Sequence, residues 1–433
     1  MPKKLGRTLS RLWLCLCLTA ACTTSPGQTD DDVNGGQGGN LGGHSDAAAY
    51  TGGQGGSGAS GSAGEAGSGG TTGGATGSPA GGKGGVAGLG AEPPGNAAFG
   101  LRVRPVNTTC KDPGRPTGKP GDPFPAQLSA TGCFDAADPK KAAAGLIPYG
   151  VASALWSDKA DKQRWMALPE GKKIAFMANG DFDFPLGTVL LKAFSLNGTM
   201  LETRFLIRHS DGQWGMYTYV WDEAGKDAKL LGEGSDSRFL GESEWVFPSR
   251  ANCVTCHTEA AGRSLGPSTR QFNSLFDYPL GKRANQLSTL EHIGIFATPP
   301  GDIVTLPKLP PPQYDVGSSL EQRARSYLHA NCSHCHQPGG TKDVSELDLV
   351  NLDLRYDTPL KMTNICNVPP SKNNYGITDV KLLTPQDTML SMISVRMHSK
   401  VTNVRMPQIG TGVVDPLGTQ IVDDWIKSLK TCP

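Results

Sequence analysis

The 433-residue chain has almost no net charge, 41 basic against 40 acidic residues. Nothing in that balance suggests a nucleic-acid binder, which would need a basic face or stripe. No nucleophile triad, phosphate-binding loop or paired-carboxylate motif stands out, and the scattered Asp and Glu read as solubilising. The apolar run Leu12 to Leu18 is too short to span a bilayer, and nothing amphipathic follows it. Glycine is sparse over most of the length, 30 in 363 positions, because 27 of the 57 fall between Asp31 and Gly100. A stretch more than one-third glycine cannot bury enough apolar surface to offset the entropy of ordering it. Removing roughly 100 residues on that ground leaves about 330, enough for two or three domains. Within this stretch Gly53-Gln54-Gly55-Gly56-Ser57-Gly58 matches G-x-G-x-x-G. The match is empty, since the fingerprint has meaning only between a strand and a helix.

What is present begins at the N-terminus. Lys3, Lys4, Arg7 and Arg11 precede the short apolar run, and Thr19-Ala20-Ala21-Cys22 follows it. A charged start, a short hydrophobic stretch and small residues make an export signal. The cysteine directly after the small residues resembles a bacterial lipoprotein box, with Cys22 as the lipidated first residue; a plain secretory signal is the alternative. Residues 23–100 then read as a flexible tether, about 45 Å root-mean-square over about 70 residues.

Eleven cysteines carry the chemistry. Cys15, Cys17 and Cys22 belong to the export signal. Cys253-Val254-Thr255-Cys256-His257 and Cys332-Ser333-His334-Cys335-His336 are two copies of C-x-x-C-H, the c-type haem attachment signature. Two thiols about one helical turn apart can form thioethers to the haem vinyl groups, and the next residue offers its imidazole to the iron. Two C-x-x-C pairs also suit a four-thiolate zinc site, which leaves both histidines unexplained. A redox dithiol is expected near a βαβ pattern, and none is visible. Cys110, Cys133, Cys366 and Cys432 remain. In an oxidising compartment they suggest two disulfides of three connectivities, with Cys110–Cys133 and Cys366–Cys432 favoured and free buried thiols the alternative.

The fold class read from the sequence is multidomain: a β-rich domain over 101–248, then a mainly α region. Apolar runs Thr188 to Ser195, Leu201 to Arg208 and Trp214 to Trp221 alternate with Asn197-Gly198 and Asp211-Gly212. They predict a three-stranded meander, with further strands from Trp156 to Phe184. The aromatics at 156, 165, 214, 217, 219 and 221 are read as core in preference to a binding face. Residues 249–305 form a first haem-binding segment with a helix over Ala284 to Ile293, and 306–316 a proline-rich spacer. Residues 317–433 have the plan of a small class I cytochrome c. Ser318 and Ser319 are candidate caps of a helix through Leu320, Ala324, Tyr327 and Leu328 leading into Cys332. A last helix from about Asp415 to Lys430 aligns Ile421, Trp425 and Leu429, and Tyr327 and Trp425 are expected to pack where the two helices cross.

A second axial ligand is needed if such an iron is to transfer electrons without binding small molecules. Met406-Pro407 is the candidate for the second haem, ahead of Met389, Met392, Met397 and His398. For the first haem His292 is the candidate, with His209, Met166, Met177 and Met216 as alternatives. His329 and His334 are expected to face solvent.

With these residues in view, the chain resembles a family of exported dihaem c-type cytochromes of proteobacteria, over roughly 145–433. The marks are Leu155-Trp156-Ser157-Asp158, Arg164-Trp165, Leu168-Pro169, Phe184-Pro185, Gly187-Thr188, Thr218-Tyr219-Val220-Trp221 and Pro248-Ser249-Arg250, then Arg323 to Asn331, Asp353 to Asp357, and Met406-Pro407. Gln408-Ile409 departs from the Pro-Leu expected after Met-Pro. The resemblance implies two covalent haem c groups with iron and electron transfer between redox partner proteins, a quinoprotein dehydrogenase or a terminal reductase among them. The expected function is an envelope lipoprotein, periplasmic or outer-membrane-associated, carrying electrons between a donor and an acceptor. A dihaem peroxidase-like oxidoreductase with an open first haem, and a β-domain binding module with accessory haems, are the alternatives.

Overall fold

The computed structural model describes residues 99–433 except 120, 242, 314–316, 342–350 and 372. The export signal, Cys22 and the glycine-rich segment lie outside the described residues. Those described belong to one compact unit, Gly77–Pro433. No helix among them is long and apolar enough to cross a membrane.

A six-stranded antiparallel sheet runs in chain order through β1 (Ile147–Pro148), β2 (Asp161–Ala167), β3 (Val189–Leu196), β4 (Thr199–Arg208), β5 (Trp214–Trp221) and β6 (Ala228–Leu230). The expected three-stranded meander is β3 to β5. Asn197 and Gly198 turn β3 into β4 with φ of 50° and 82°, the pair of positive angles whose twist matches a two-residue hairpin. From Trp156 to Phe184 the chain adds one strand, β2, and an isolated bridge between Ala175 and Asp183. Two small hairpins follow the sheet, β7 (Asp236–Leu240) with β8 (Ser243–Phe247), and β9 (Leu275–Tyr278) with β10 (Lys282–Asn285). The helices are α1 (Arg250–Cys256), α2 (Thr269–Phe272), α3 (Gln286–His292), α4 (Leu320–Asn331), α5 (Met392–His398) and α6 (Pro416–Ser428).

Both faces of the sheet are covered, and strand alternation decides what covers each. Odd-numbered residues Leu191, Phe205, Ile207, Tyr217, Tyr219 and Trp221 join Phe124, Leu128 and Phe134 in one core, which also holds the Cys110–Cys133 disulfide. Even-numbered Met166, Leu190, Leu206 and Met216 pack on the second face against Phe272, Leu287, Leu290 and Phe296. Most of the aromatics in question are thus core, Tyr219 and Trp221 each 1% exposed.

That second core draws on both sides of residue 249. The segment 249–305 has no core of its own, because α2 and α3 complete the sheet's apolar face. The proline-rich stretch also packs on this unit. Leu306 packs on the same core, Leu309 is buried, and the Leu309 N–H donates to the Arg270 carbonyl at 2.9 Å.

A third core joins α4, α5 and α6 through Leu328, Met397, Ile421, Val422, Trp425 and Ile426. Ser319 and Gln322 close a capping box at the start of α4, and the Asp415 carboxylate accepts from the Leu417 and Gly418 N–H groups at the start of α6. Where the two helices meet, Tyr327 and Trp425 belong to the same core, and the Tyr327 ring lies on Gly418. A Cβ added at Gly418 would fall 2.1 Å from the Tyr327 ring, so glycine admits the ring. Cys366–Cys432 ties this part to the C-terminus.

Candidate functional site

The two C-x-x-C-H motifs sit at helix ends. Ser249 caps α1 through a capping box with Asn252, and α1 carries Cys253 and Cys256 and ends at His257. Helix α4 leads into Cys332, its C-cap, and the chain then winds so that the His336 N–H donates to the Cys332 carbonyl at 2.9 Å. Although 79 residues separate the two motifs in sequence, the Cys256 and Cys335 sulfurs and a His334 ring nitrogen lie within 4.8 Å of one another. The Thr341 hydroxyl donates to the Thr255 carbonyl and holds the second loop against α1. All four motif thiols are free. The Cys256 thiol hydrogen-bonds to Cys335, which lowers the Cys335 pKa and raises that of Cys256.

Between the sheet and the two motifs lies a cavity of about 1340 Å³, larger than the roughly 300–1,000 Å³ of an ordinary small-molecule pocket. Cys253, Cys256 and His257 line it, as do Ser333 and His334. His257 is half-buried, and burial pushes its pKa down to about 4, so the ring is neutral at pH 7. Its Nδ1 lies 2.6 Å from the Arg263 carbonyl. A carbonyl can only accept, so Nδ1 carries the proton and Nε2 keeps a free lone pair, the tautomer a metal-binding imidazole needs.

The opposite wall is the loop after Arg405. Pro407 to Gly412 line the cavity, whereas Met406 lies in a neighbouring recess with Trp156, Tyr327 and Met397. The loop is fastened from the β region: the Trp156 indole donates to the Val413 carbonyl at 2.8 Å, and the Asp158 carboxylate accepts from the Gly412 and Val413 N–H groups at 2.7 and 2.9 Å. The Trp156 N–H donates to Asn331 of α4 at 2.7 Å, which ties the same corner to the second motif.

Other expected residues are distributed as follows. His292 is not brought to the cavity; its ring stacks on Phe99 at 3.8 Å and its Nε2 meets the Arg102 carbonyl. His209 spends both ring nitrogens, on Asp112 at 2.7 Å and Tyr217 at 2.8 Å. Met166 is sealed in the core and Met177 is exposed; of the alternatives, Met216 lines the cavity. Met389 is exposed, Met392 and Met397 are core, and His398 pairs with Asp423. His329 and His334, expected in solvent, both line the cavity, because the turn after α4 folds back onto α1.

Sequence reasoning passed over a row of charges on the sheet. Arg164, Lys192 and Arg204 occupy directly paired positions on β2, β3 and β4 and line the cavity. Burial first, then Arg164, Lys162 and Arg204, push the Lys192 ammonium well below the usual lysine value. The signal was available: Lys192 is the one charged residue of β3, and Arg204 stands mid-strand in β4 two residues after Glu202.

The residues of the first motif fit a covalently attached haem: two free thiols, a neutral imidazole with Nε2 open, and room beyond one ordinary ligand. The second motif supplies two further free thiols, and of its residues Ser333 and His334 line the cavity. Two cavity residues, Trp245 and Ser264, also hold buried donors, Nε1 and Oγ, with no partner among the described residues, which in a finished site would be satisfied.

Comparisons with protein-family models, curated proteins and solved structures gave no match.

Proposed function

We propose that the protein is an exported dihaem c-type cytochrome, lipid-anchored through Cys22, that passes electrons between a donor and an acceptor protein in the cell envelope. The observation that carries this reading is the approach of two C-x-x-C-H motifs distant in sequence, Cys256 beside Cys335, at a large cavity that Cys253, Cys256 and His257 line. Cys253 and Cys256 would hold one haem and Cys332 and Cys335 the other, with His257 and His336 as iron ligands and Met406 as the further ligand of the second. When bound, a c-type haem supplies a one-electron iron centre whose potential follows its axial ligands and surroundings. The chain's own part is to fix the imidazole tautomer through Arg263, to set the two attachment sites against each other, and to close the cavity with the loop fastened by Trp156 and Asp158. The adjacency of Cys256 and Cys335 supports electron exchange between two neighbouring groups rather than two independent carriers.

A second reading has its own observation. Cys256, His334 and Cys335 form a soft donor set that suits Zn²⁺ or Cu⁺. The two readings exclude each other, since thioether formation consumes both sulfurs. A pyridine haemochrome assay on the denatured, exported protein, with its intact mass, separates them. Two haems per chain support the cytochrome reading; no haem and one bound metal ion overturn it. Retained haems that respond to peroxide or carbon monoxide would move the function toward peroxidase-like chemistry.

A further inference from the structure

The row Arg164, Lys192 and Arg204 has no explanation within the fold. Its members are nearest cross-strand neighbours on one face of the sheet, Arg164 opposite Lys192 and Lys192 opposite Arg204. Like charges so placed repel. Among the described residues, the ion pair that compensates is Glu202, fully buried, which takes a forked hydrogen bond from Arg204 at 2.9 and 2.5 Å. Arg164 and Lys192 have no ion pair or side-chain hydrogen bond among the described residues; Lys192 Nζ lies 5.1 Å from the centre of the Phe194 ring.

The row is also a polar interruption of an apolar face. On one side lie Met166, Leu190, Leu206 and Met216, on the other Phe194 with Trp245 and Phe247. The stripe between them opens into the cavity that Cys253, Cys256 and His257 line. Two unpaired cations in a low-dielectric wall are costly without an anion. An arginine fork and a lysine point charge side by side suit two carboxylate groups.

We propose that this row is a two-carboxylate site, and that it receives the propionate pair of the haem attached at Cys253 and Cys256. The inference rests on the dihaem reading above and adds the residues that hold the group's charged edge. Two propionates would neutralise Arg164 and Lys192, leave the Arg204–Glu202 pair as it is, and turn the repulsive row into a charge-assisted network. A diffusible dicarboxylate offers the same chemistry and is the other source to be told apart.

The test uses the purified holoprotein. Haem is counted first, then the propionate bending band is read by resonance Raman and the midpoint potentials by redox titration, for wild type, Arg164→Gln, Lys192→Gln and Arg164→Lys. With two haems per chain, the expected result is a shifted band and one lowered potential in both glutamine variants. Arg164→Lys should shift the band with little change in potential, because it keeps the charge and loses the fork. Two haems with an unshifted band in all variants overturn the propionate site and leave the dihaem reading standing. A wild-type protein without haem at Cys253 and Cys256 overturns both. Succinate, added to the wild type, should leave the Tm unchanged because the row is filled; stabilisation by succinate that Arg164→Lys weakens would show an open site and overturn the assignment. Should a glutamine variant fail to fold, Arg164→Lys and the wild-type succinate titration decide the question.

Discussion

At the scale of single residues, the chemistry turns on what each polar atom has already been given. His257 presents Nε2 because the Arg263 carbonyl occupies Nδ1, whereas His209, more deeply buried, has both nitrogens engaged and nothing to offer a metal. Met406, which lies in a recess beside the cavity with Trp156 and Met397, is the proposed further ligand of the second haem. In the haem-loaded protein, Met406→Ala is expected to remove the weak sulfur-to-iron absorption at the red end of the spectrum and to lower one potential, since thioether ligation favours ferrous iron; an unchanged band assigns the ligand elsewhere. His329 gives a pH prediction. Burial, and then the neighbouring Arg270, push its pKa down to about 4, against about 6.5 in an unfolded chain. Its Nδ1 accepts from the Tyr356 N–H at 3.4 Å, which also favours the neutral ring. Between those two values the unfolded state binds the proton and the folded state does not, so stability is full above pH 6.5 and falls as the pH drops toward 4. Urea midpoints at pH 7 and pH 5 should therefore differ less in His329→Gln than in the wild type; an equal difference would remove His329 from the account.

At the scale of elements, helix ends and one helix crossing position the site. The two C-x-x-C-H motifs lie toward the C-terminal ends of α1 and α4, each helix started by a serine capping box; Cys253 and Cys256 fall in the last turn of α1 and Cys332 caps α4. The α4–α6 crossing depends on Gly418. Helix propensity alone would favour alanine there by about 1 kcal/mol. A Cβ against the Tyr327 ring is instead expected to cost about 1–3 kcal/mol through overpacking. Gly418→Ala should thus lower the unfolding free energy in urea, and a neutral or stabilising result would show that Tyr327 moves aside at no cost. Mid-strand Lys192 and Arg204 make the complementary point for the sheet: strand alternation aims them at the cavity, and cross-strand register brings them side by side.

At the scale of the whole molecule, covalent closure and shared cores hold the parts together. Cys366–Cys432 closes 66 residues and Cys110–Cys133 closes 23. In the loop-entropy account these are worth about 4 and about 3 kcal/mol. The double serine variant at 366 and 432 is expected to lose the larger amount in chemical denaturation, and a smaller loss there than for the pair at 110 and 133 would count against the entropic account. Much of this organisation was legible in the order of residues. The two C-x-x-C-H motifs, the strands β3 to β5, the Asn197-Gly198 turn and the Ser319 cap follow from spacing and backbone preference acting within a few residues. The pairing of Cys110 with Cys133 and of Cys366 with Cys432 was the favoured one of three. Other features could not be read that way. The mutual approach of Cys256 and Cys335, the turning of His334 toward the cavity, the diversion of His292 onto Phe99 and the merging of α2 and α3 into the sheet's core all join residues far apart in the chain. Local spacing determined which groups could carry the chemistry. Only tertiary packing decided which of them meet, because the cavity walls come from a sheet, two helix ends and a loop whose relative positions depend on burying apolar surface over the whole unit.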